Sequence, residues 1–457
     1  MTSVERTGES TYGTDDKPEY SILTYTWGRF RAEWGSPALD VKGTTWKIPP
    51  IKESCFTVEA FQHVINFMGH DVEYAWVDVA CIDQENREVK MYEVGRQVGI
   101  FKGAKRAYVW LHSFSNAELK SLHDTIIEYG PQIIHPSLRE YGNLRTVMPI
   151  LQESFDKLFS DPWFTSLWTL QESVLRRDAT VLCREASPIQ HPWNDDHDVY
   201  LAMLANTCRN IYLDLQGTLE TTNMFREVKM AAQNLISRLE ESGFHFLYTS
   251  NPNVQYGAAR FRQTEFPLDR IYGIMQIYGI TVGEAAEPGR TISTMEELED
   301  QFAAALNARS AVLGQAFVHV GNPVSGKTWR ITQTSRVHEA IMAFDQTTNT
   351  NCTIVKNSKD AAVTVNGPAC SLQRLEALWE KLAWKVARDR YGAQVMLDHN
   401  GVVLSNVGKD LDESNFEYTI DNRSIVLGIP LNDYEACKCL ISTIPSADLQ
   451  VISLGKV

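Results

Sequence analysis

Asp161-Pro-Trp-Phe-Thr-Ser-Leu-Trp-Thr-Leu-Gln-Glu172, running on into Ser173-Val-Leu-Arg-Arg177, reads as a helix start set between two short apolar runs. Ser160 or Asp161 can cap it, and Pro162 suits the first turn because its missing N–H has no helical partner to lose there. Trp168 and Glu172 stand four apart and share a helix face, which holds an acid one turn from an indole wall. Upstream lies Arg106-Ala-Tyr-Val-Trp-Leu111 and downstream Ala179-Thr-Val-Leu-Cys183, each with the length and apolar character of a buried strand. Further upstream, Tyr20-Ser-Ile-Leu-Thr-Tyr-Thr-Trp27-Gly28 reads as a strand ending at a glycine turn, and Tyr74-Ala-Trp-Val-Asp-Val-Ala-Cys81 as another, with Cys81-Ile-Asp-Gln84 at its tip. Residues 57–68 have helical spacing (Val58, Phe61, Val64, Ile65, Met68) with Gly69 as a stop, and residues 85–101 form a second helix. Strands alternating with helices in this order predict an α/β domain with a parallel sheet and crossover helices.

The rest of the chain divides around that core. Residues 1–18 are a polar, flexible lead, and residues 113–160 interrupt the alternation as mostly helical inserted material. Helical text returns over 201–213 and 225–239, and Phe266-Pro-Leu-Asp-Arg-Ile-Tyr-Gly-Ile-Met275 opens a further helix. A Gly/Pro/Glu-containing break over 283–291 marks a boundary, followed by two overlapping capping-box patterns, Ser293-Thr-Met-Glu296 and Thr294-Met-Glu-Glu297. Beyond it, β-rich text (352–365, 394–404, 424–427) and a helix over 372–388 make a small α+β module. The predicted organisation is a core domain over 19–185 with its insertion, a helical extension over 186–284, and a C-terminal module over 285–457.

Composition narrows the function classes. The 457 residues are 44% hydrophobic and 22% charged, as in a well-cored globular chain, and exceed one ordinary domain. The net charge of −14 with no basic block argues against a nucleic-acid or anionic-membrane surface. The polar opening and the lack of a long apolar run predict no secretory signal and no membrane helix, hence a soluble cytoplasmic protein. Eight cysteines have no repeating spacing, and only Cys437-Lys-Cys439 is close-set, without the second pair a zinc site needs. His191-Pro-Trp-Asn-Asp-Asp-His197 fits no standard ligand spacing, so no metal is predicted.

Four ordered blocks carry a family resemblance. They are Tyr20-Ser-Ile-Leu-Thr-Tyr-Thr-Trp-Gly28; Trp76-Val-Asp-Val-Ala-Cys-Ile-Asp-Gln84 running to Ala107-Tyr-Val-Trp-Leu111; Trp163-Phe164 with Trp168-Thr-Leu-Gln-Glu172; and Asp269-Arg-Ile-Tyr-Gly-Ile274. In these the chain resembles fungal heterokaryon-incompatibility (HET) domain proteins. Two departures are visible: Ala80-Cys-Ile-Asp-Gln84 stands where the family usually has Leu-Cys-Ile-Asn-Gln, and Ile100-Phe101 replaces the usual Ile-Tyr. HET domains are in turn similar to TIR domains, which are flavodoxin-like, and some of which cleave NAD with a glutamate in a Trp-x-x-x-Glu arrangement. Trp168-Thr-Leu-Gln-Glu172 matches that spacing, between a third and a fourth strand.

The resemblance implies a flavodoxin-like sheet and an effector of self/non-self or cell-death responses that takes NAD or a related nucleotide as substrate. Glu172 would be the catalytic carboxyl of a nicotinamide-ribose hydrolase, and Trp27, Gly28, Asp78, Asp83 and Trp168 would line the substrate pocket. It also implies self-association and a protein activator. The residues leave other readings open. Glu172 can equally be a solvated carboxylate easing the helix dipole. Asp78 and Asp83 can be caps at a strand end, and Trp76, Trp110, Trp163 and Trp168 suit a core at least as well as a ligand stack. Asp269 and Arg270 suit a buried structural pair, and Cys81 at a strand end can be a nucleophile or a small core residue. A non-catalytic self-association module and a scaffold recruited to small-molecule metabolism are the alternative functions.

One further motif stands apart. Gly321-Asn-Pro-Val-Ser-Gly326-Lys327-Thr328 matches the Walker A pattern, in which backbone N–H groups and a lysine cradle phosphates at a helix start. The following Trp-Arg-Ile-Thr-Gln-Thr-Ser forms helix poorly, so a β-hairpin turn is the competing reading.

Overall fold

The computed structural model describes residues 1–3, 11–12, 15–16, 18–26, 36–133, 141–192, 194–219, 226–287, 289–319, 327, 329–333, 335–337, 353–356, 363–366, 369–371, 393–398, 401–407, 425–430 and 436–442. They fall into two compact units, Met1–Tyr248 with Phe261–Ile292, and Thr249–Arg260 with Ser293–Val457.

The first unit is built on four strands: β1 (Tyr20–Thr24), β2 (Tyr74–Trp76), β3 (Arg106–Trp110) and β4 (Thr180–Leu182). All pair in parallel in the order β2-β1-β3-β4. This is the flavodoxin-like arrangement, with flanking helices. Parallel strands covered on both faces need continuous apolar text. Accordingly the last four residues of both β1 and β3 are buried.

The crossover helices begin where side chains can satisfy their first amides. In α1 (Val58–Met68) the Thr57 hydroxyl accepts the Ala60 N–H, and Phe61, Val64, Ile65 and Met68 face the sheet. Each such buried side chain contributes about 2 kcal/mol before the entropy of ordering it. α2 (Arg87–Gly103) starts at Asn86, whose side chain accepts from Glu88 and Val89 N–H. Between α1 and the sheet the core is aromatic: Phe61 stacks on Trp110 of β3 at 5.8 Å and packs on Tyr25, just after β1, at 4.8 Å.

Between β3 and β4 the inserted material is helical, as its text suggested. α3 (Asn116–Tyr129) opens with a Ser115/Glu118 capping box, and α4 (Tyr141–Leu158) packs against α3. A 3-10 turn (Pro162–Thr165) and α5 (Leu167–Leu175) then lead into β4. Two long helices follow, α6 (Leu201–Leu219) and α7 (Arg226–Ser242), and α7 covers α4.

Three local expectations change. The second strand stops at Trp76, and Asp78–Cys81 forms a helical turn because the Asp78 carboxylate takes the Val79 N–H. The helix expected from Asp161 is two pieces: Asp161 caps only the 3-10 turn, and Ser166, in extended conformation, separates it from α5. The 266–275 text yields a short helix (Asp269–Tyr272) and a 3-10 turn (Met275–Tyr278), interrupted by Gly273 and ended by Gly279 at φ 61.

In the second unit α8 (Met295–Arg309) starts at Thr294, whose hydroxyl accepts the Glu297 N–H. Its β structure includes a five-stranded antiparallel sheet in the order Ala369–Ser371, Ile425–Pro430, Ala436–Ser442, Gly401–Val407, Ala393–Asp398. The helix expected over 372–388 lies outside the described residues. Among the described residues no helix is long and apolar enough to cross a membrane.

Candidate functional site

The carboxyl ends of parallel strands collect whatever the loops leave polar, and in open α/β sheets ligands bind there. β1 ends at Thr24-Tyr25, and its neighbour β2 ends just before Asp78. Because the two strands are adjacent, the Tyr25 hydroxyl reaches Asp78 and donates to Oδ1 at 2.7 Å, beside the Val79 N–H at 2.8 Å. The Gln84 amide closes the turn on the Asp78 carbonyl at 3.1 Å.

Glu172 comes to this edge from α5, which packs on β1. Thr24 links the two elements: its hydroxyl accepts the indole N–H of fully buried Trp163 at 2.9 Å and hydrogen-bonds the Glu172 carboxyl. Glu172 is half-buried as a residue, yet its Oε2 atom is buried with no partner among the described residues. Burial pushes its pKa up to about 8, against the Thr24 hydrogen bond and with a further push from the Asp78 charge. That burial favours the protonated carboxyl at neutral pH. The Tyr25 hydroxyl is pushed well above its ordinary value by burial, then by Asp78 and, more weakly, Glu172.

The edge thus holds two carboxyls in different settings, Asp78 hydrogen-bonded by the Tyr25 hydroxyl and the Val79 N–H, Glu172 buried with its Oε2 short of a partner among the described residues. Such a pair can attract a cationic or proton-bearing group and can trade a proton with it.

The other sequence candidates are placed as follows. Asp83 accepts the N–H groups of Glu85 and Asn86 at 3.0 and 3.1 Å, so it caps the approach to α2. Trp168 turns its indole N–H to Asp269 Oδ2 at 3.2 Å, and Asp269 also receives the Thr264 hydroxyl. Arg270 donates instead to the Arg262 carbonyl at 2.9 Å. Trp27 and Gly28, at the end of the first strand's text, lie outside the described residues. Trp110 and Trp163 are fully buried in the core.

Burial first, with Asp78 and Glu93 adding to it, pushes the Cys81 thiol up to about 12, which leaves almost no thiolate at neutral pH. Among the described residues no group of three or more His, Cys, Asp or Glu side chains could hold a metal ion.

Of the Walker-like loop, Gly321, Gly326 and Thr328 lie outside the described residues. The Lys327 ammonium sits between Glu296 Oε1 at 2.6 Å and Asp300 Oδ2 at 2.8 Å, both on α8, and residues 329–333 are not helical.

Thr24 and Tyr25 were not singled out from sequence. The signal available was a hydroxyl-bearing Thr-Tyr-Thr run at the end of an otherwise apolar strand. Equally unforeseen is a buried amide chain behind Glu172. Gln171 donates to Gln97 at 2.7 Å and accepts the Gln276 backbone N–H at 3.2 Å.

The family model for heterokaryon incompatibility protein (HET) matches residues 20–172, which run from the first residue of β1 to Glu172 itself. A curated relative, "Heterokaryon incompatibility protein 6, OR allele" of Neurospora crassa, is 21% identical over 351 residues, covering 69% of this chain and 48% of the relative. The chain thus spans about half the length of that relative. No solved structure matches. Residues 20–172, which hold three of the four blocks and the first three strands of a parallel sheet whose carboxyl edge gathers Thr24, Tyr25, Asp78 and Glu172, are a heterokaryon incompatibility (HET) domain.

Proposed function

We propose that the HET domain takes NAD or a related nucleotide at the carboxyl edge of β1 and β2 and hydrolyses its nicotinamide–ribose bond. Glu172 is the catalytic carboxyl in this reading. The observation that carries it is the buried Glu172 Oε2, without a partner among the described residues, in a cluster with Thr24, Tyr25 and Asp78.

The chemistry suits these groups. The substrate is a pyridinium cation, which departs as neutral nicotinamide and needs no acid to protonate it. What develops instead is positive charge on the ribose, and an adjacent carboxylate stabilises or traps such an oxocarbenium-like centre. Burial pushes Glu172 toward its protonated form at neutral pH. A cation arriving beside it favours the ionised form, so binding releases the proton and creates the catalytic charge. Thr24 orients the carboxyl, and Asp78 adds negative potential that attracts the cation. Water then takes the ribosyl carbon, and the products are nicotinamide, ADP-ribose and a proton.

The relative's name ties that protein to heterokaryon incompatibility. By extension this chain acts in a cytoplasmic self/non-self or cell-death response. A protein activator and self-association switch the domain on, and the C-terminal module senses the partner.

The test is nicotinamide release from NAD by the purified chain and by its Glu172→Ala and Glu172→Gln variants. Release that both substitutions abolish supports the proposal. Release unchanged by either would overturn it. No release at any protein concentration, together with concentration-dependent self-association, would replace it with a non-catalytic assembly module.

A further inference from the structure

α5 cannot hold its own position. It has nine residues, too few for a stable isolated helix, and Ser166 at its N-cap makes no side-chain capping bond. Its first amide is satisfied from elsewhere in the unit. Leu167 N–H donates to the Gln263 carbonyl at 3.0 Å, and Gln263 N–H returns a bond to the Thr165 carbonyl at 2.7 Å.

Arg262, fully buried, donates to the Trp163 carbonyl at 3.1 Å and the Ser166 carbonyl at 3.4 Å, just before the helix. One turn on, Trp168 gives its indole N–H to Asp269, and one residue before Glu172, Gln171 is held by the Gln276 amide. Every one of these braces comes from residues 262–276, beyond the 20–172 family match.

We infer that residues 262–276 form a clasp that positions Glu172, and that Asp269 acts in it as a positioning residue through Trp168. Asp269 is suited to the task. Its Oδ2 receives two donors, the Trp168 indole and the Thr264 hydroxyl at 2.8 Å, so the acceptor is itself fixed. Trp168 and Glu172 stand one turn apart on the same helix, so a rotation of α5 that releases the indole also swings the carboxyl away from Thr24. The clasp gives the Trp-x-x-x-Glu and Asp269-Arg270 blocks one shared purpose, although 101 residues separate Trp168 from Asp269. The inference rests on the proposed role of Glu172 for its catalytic meaning, but the clasp itself can be read without turnover.

The experiment uses the full chain with Asp269→Ala, Asp269→Asn, Trp168→Phe and the Trp168→Phe/Asp269→Ala pair. The primary readout is the titration of Glu172, followed by the carboxyl-carbon NMR signal that Glu172→Gln removes. The charged or titratable groups facing it are Asp78 and Tyr25, both left unaltered.

The wild-type midpoint should lie near 8. Asp269→Ala and Trp168→Phe should move it toward the ordinary glutamate range as the carboxyl gains access to water. Asp269→Asn keeps an acceptor for the indole and should restore the midpoint, and the double variant should do no more than either single one. With NAD turnover present, kcat should fall on the order of 10–100-fold in the same two variants with KM little changed, as for a misplaced reacting group. An unmoved midpoint in both Asp269→Ala and Trp168→Phe, or a failure of Asp269→Asn to rescue, overturns the clasp. A moved and rescued midpoint in a chain that releases no nicotinamide upholds the clasp while removing the hydrolase reading.

Discussion

Replacing Glu172 by glutamine should stabilise the HET unit, and the gain should grow with pH. In the folded chain the Glu172 carboxyl titrates near 8, against an ordinary 4.5, chiefly because burial disfavours its charge. Between those two values the folded state holds a proton that the unfolded state has released. The unfolded chain therefore binds fewer protons, and stability falls as pH rises. The favourable contribution is complete below pH 4.5 and is lost progressively as pH climbs through 8.

Each pH unit in that interval removes about 1.4 kcal/mol. The loss is about 3 kcal/mol by pH 7 and about 5 kcal/mol above pH 8, as order-of-magnitude values. Glutamine keeps the shape of the protonated acid, accepts from Thr24 and never ionises, so it avoids the loss. Urea unfolding of both proteins at pH 5 and pH 8.5, followed on the transition of the unit that carries the sheet, gives the comparison. Glu172→Gln should match wild type within about 1 kcal/mol at pH 5 and exceed it by several at pH 8.5. An equal difference at the two pH values, or a variant less stable at high pH, would refute the burial of a neutral Glu172.

Further outcomes follow from the same groups. Nicotinamide release should increase with pH through about 8 at subsaturating NAD, because the working form of Glu172 is ionised and its folded value lies there; a flat profile from pH 6 to 9 counts against it. Arg87→Ala should destabilise the HET unit by about 1–3 kcal/mol at pH 7, since it strips a bidentate pair from the buried Glu284 carboxylate. That pair holds Glu284 below the ordinary carboxylate range, so its stabilisation is present above pH 4.5 and lost on acidification. The wild-type advantage in chemical denaturation should accordingly shrink below pH 4.5. Lys327→Ala should cost the second unit about 2 kcal/mol in thermal or denaturant unfolding, because it removes the ammonium that bridges Glu296 and the buried Asp300. If the same substitution leaves stability untouched and removes ATP binding, the lysine serves phosphates rather than α8.

The sheet was readable because its physics is local. A parallel strand buried on both faces must be written as a run such as Ser21-Ile-Leu-Thr24, and a crossover helix must show the spacing of Phe61, Val64, Ile65 and Met68. Those signals sit within a few residues of each other, so composition and periodicity alone determined strand number, helix order and the place of the Trp168–Glu172 helix before β4. Where local chemistry was misread, a side chain outcompeted the pattern. Asp78 captured the Val79 amide and turned an apolar strand tip into helix, and Ser166 split one expected helix into two.

The site depended on what lies far apart in sequence. Glu172 could have been a solvated acid; its helix spacing fits both readings. Only the packing of α5 on β1 buries its carboxyl beside Thr24 and Asp78, and that burial raises its proton affinity. Trp168, read as part of a ligand wall, gives its indole N–H to Asp269, and Asp83 caps a helix approach. Desolvation and hydrogen-bond partnership are properties of the three-dimensional neighbourhood, which periodicity does not encode. The order of elements was therefore settled by the sequence itself, while the charge state and company of each acid were decided by the tertiary fold.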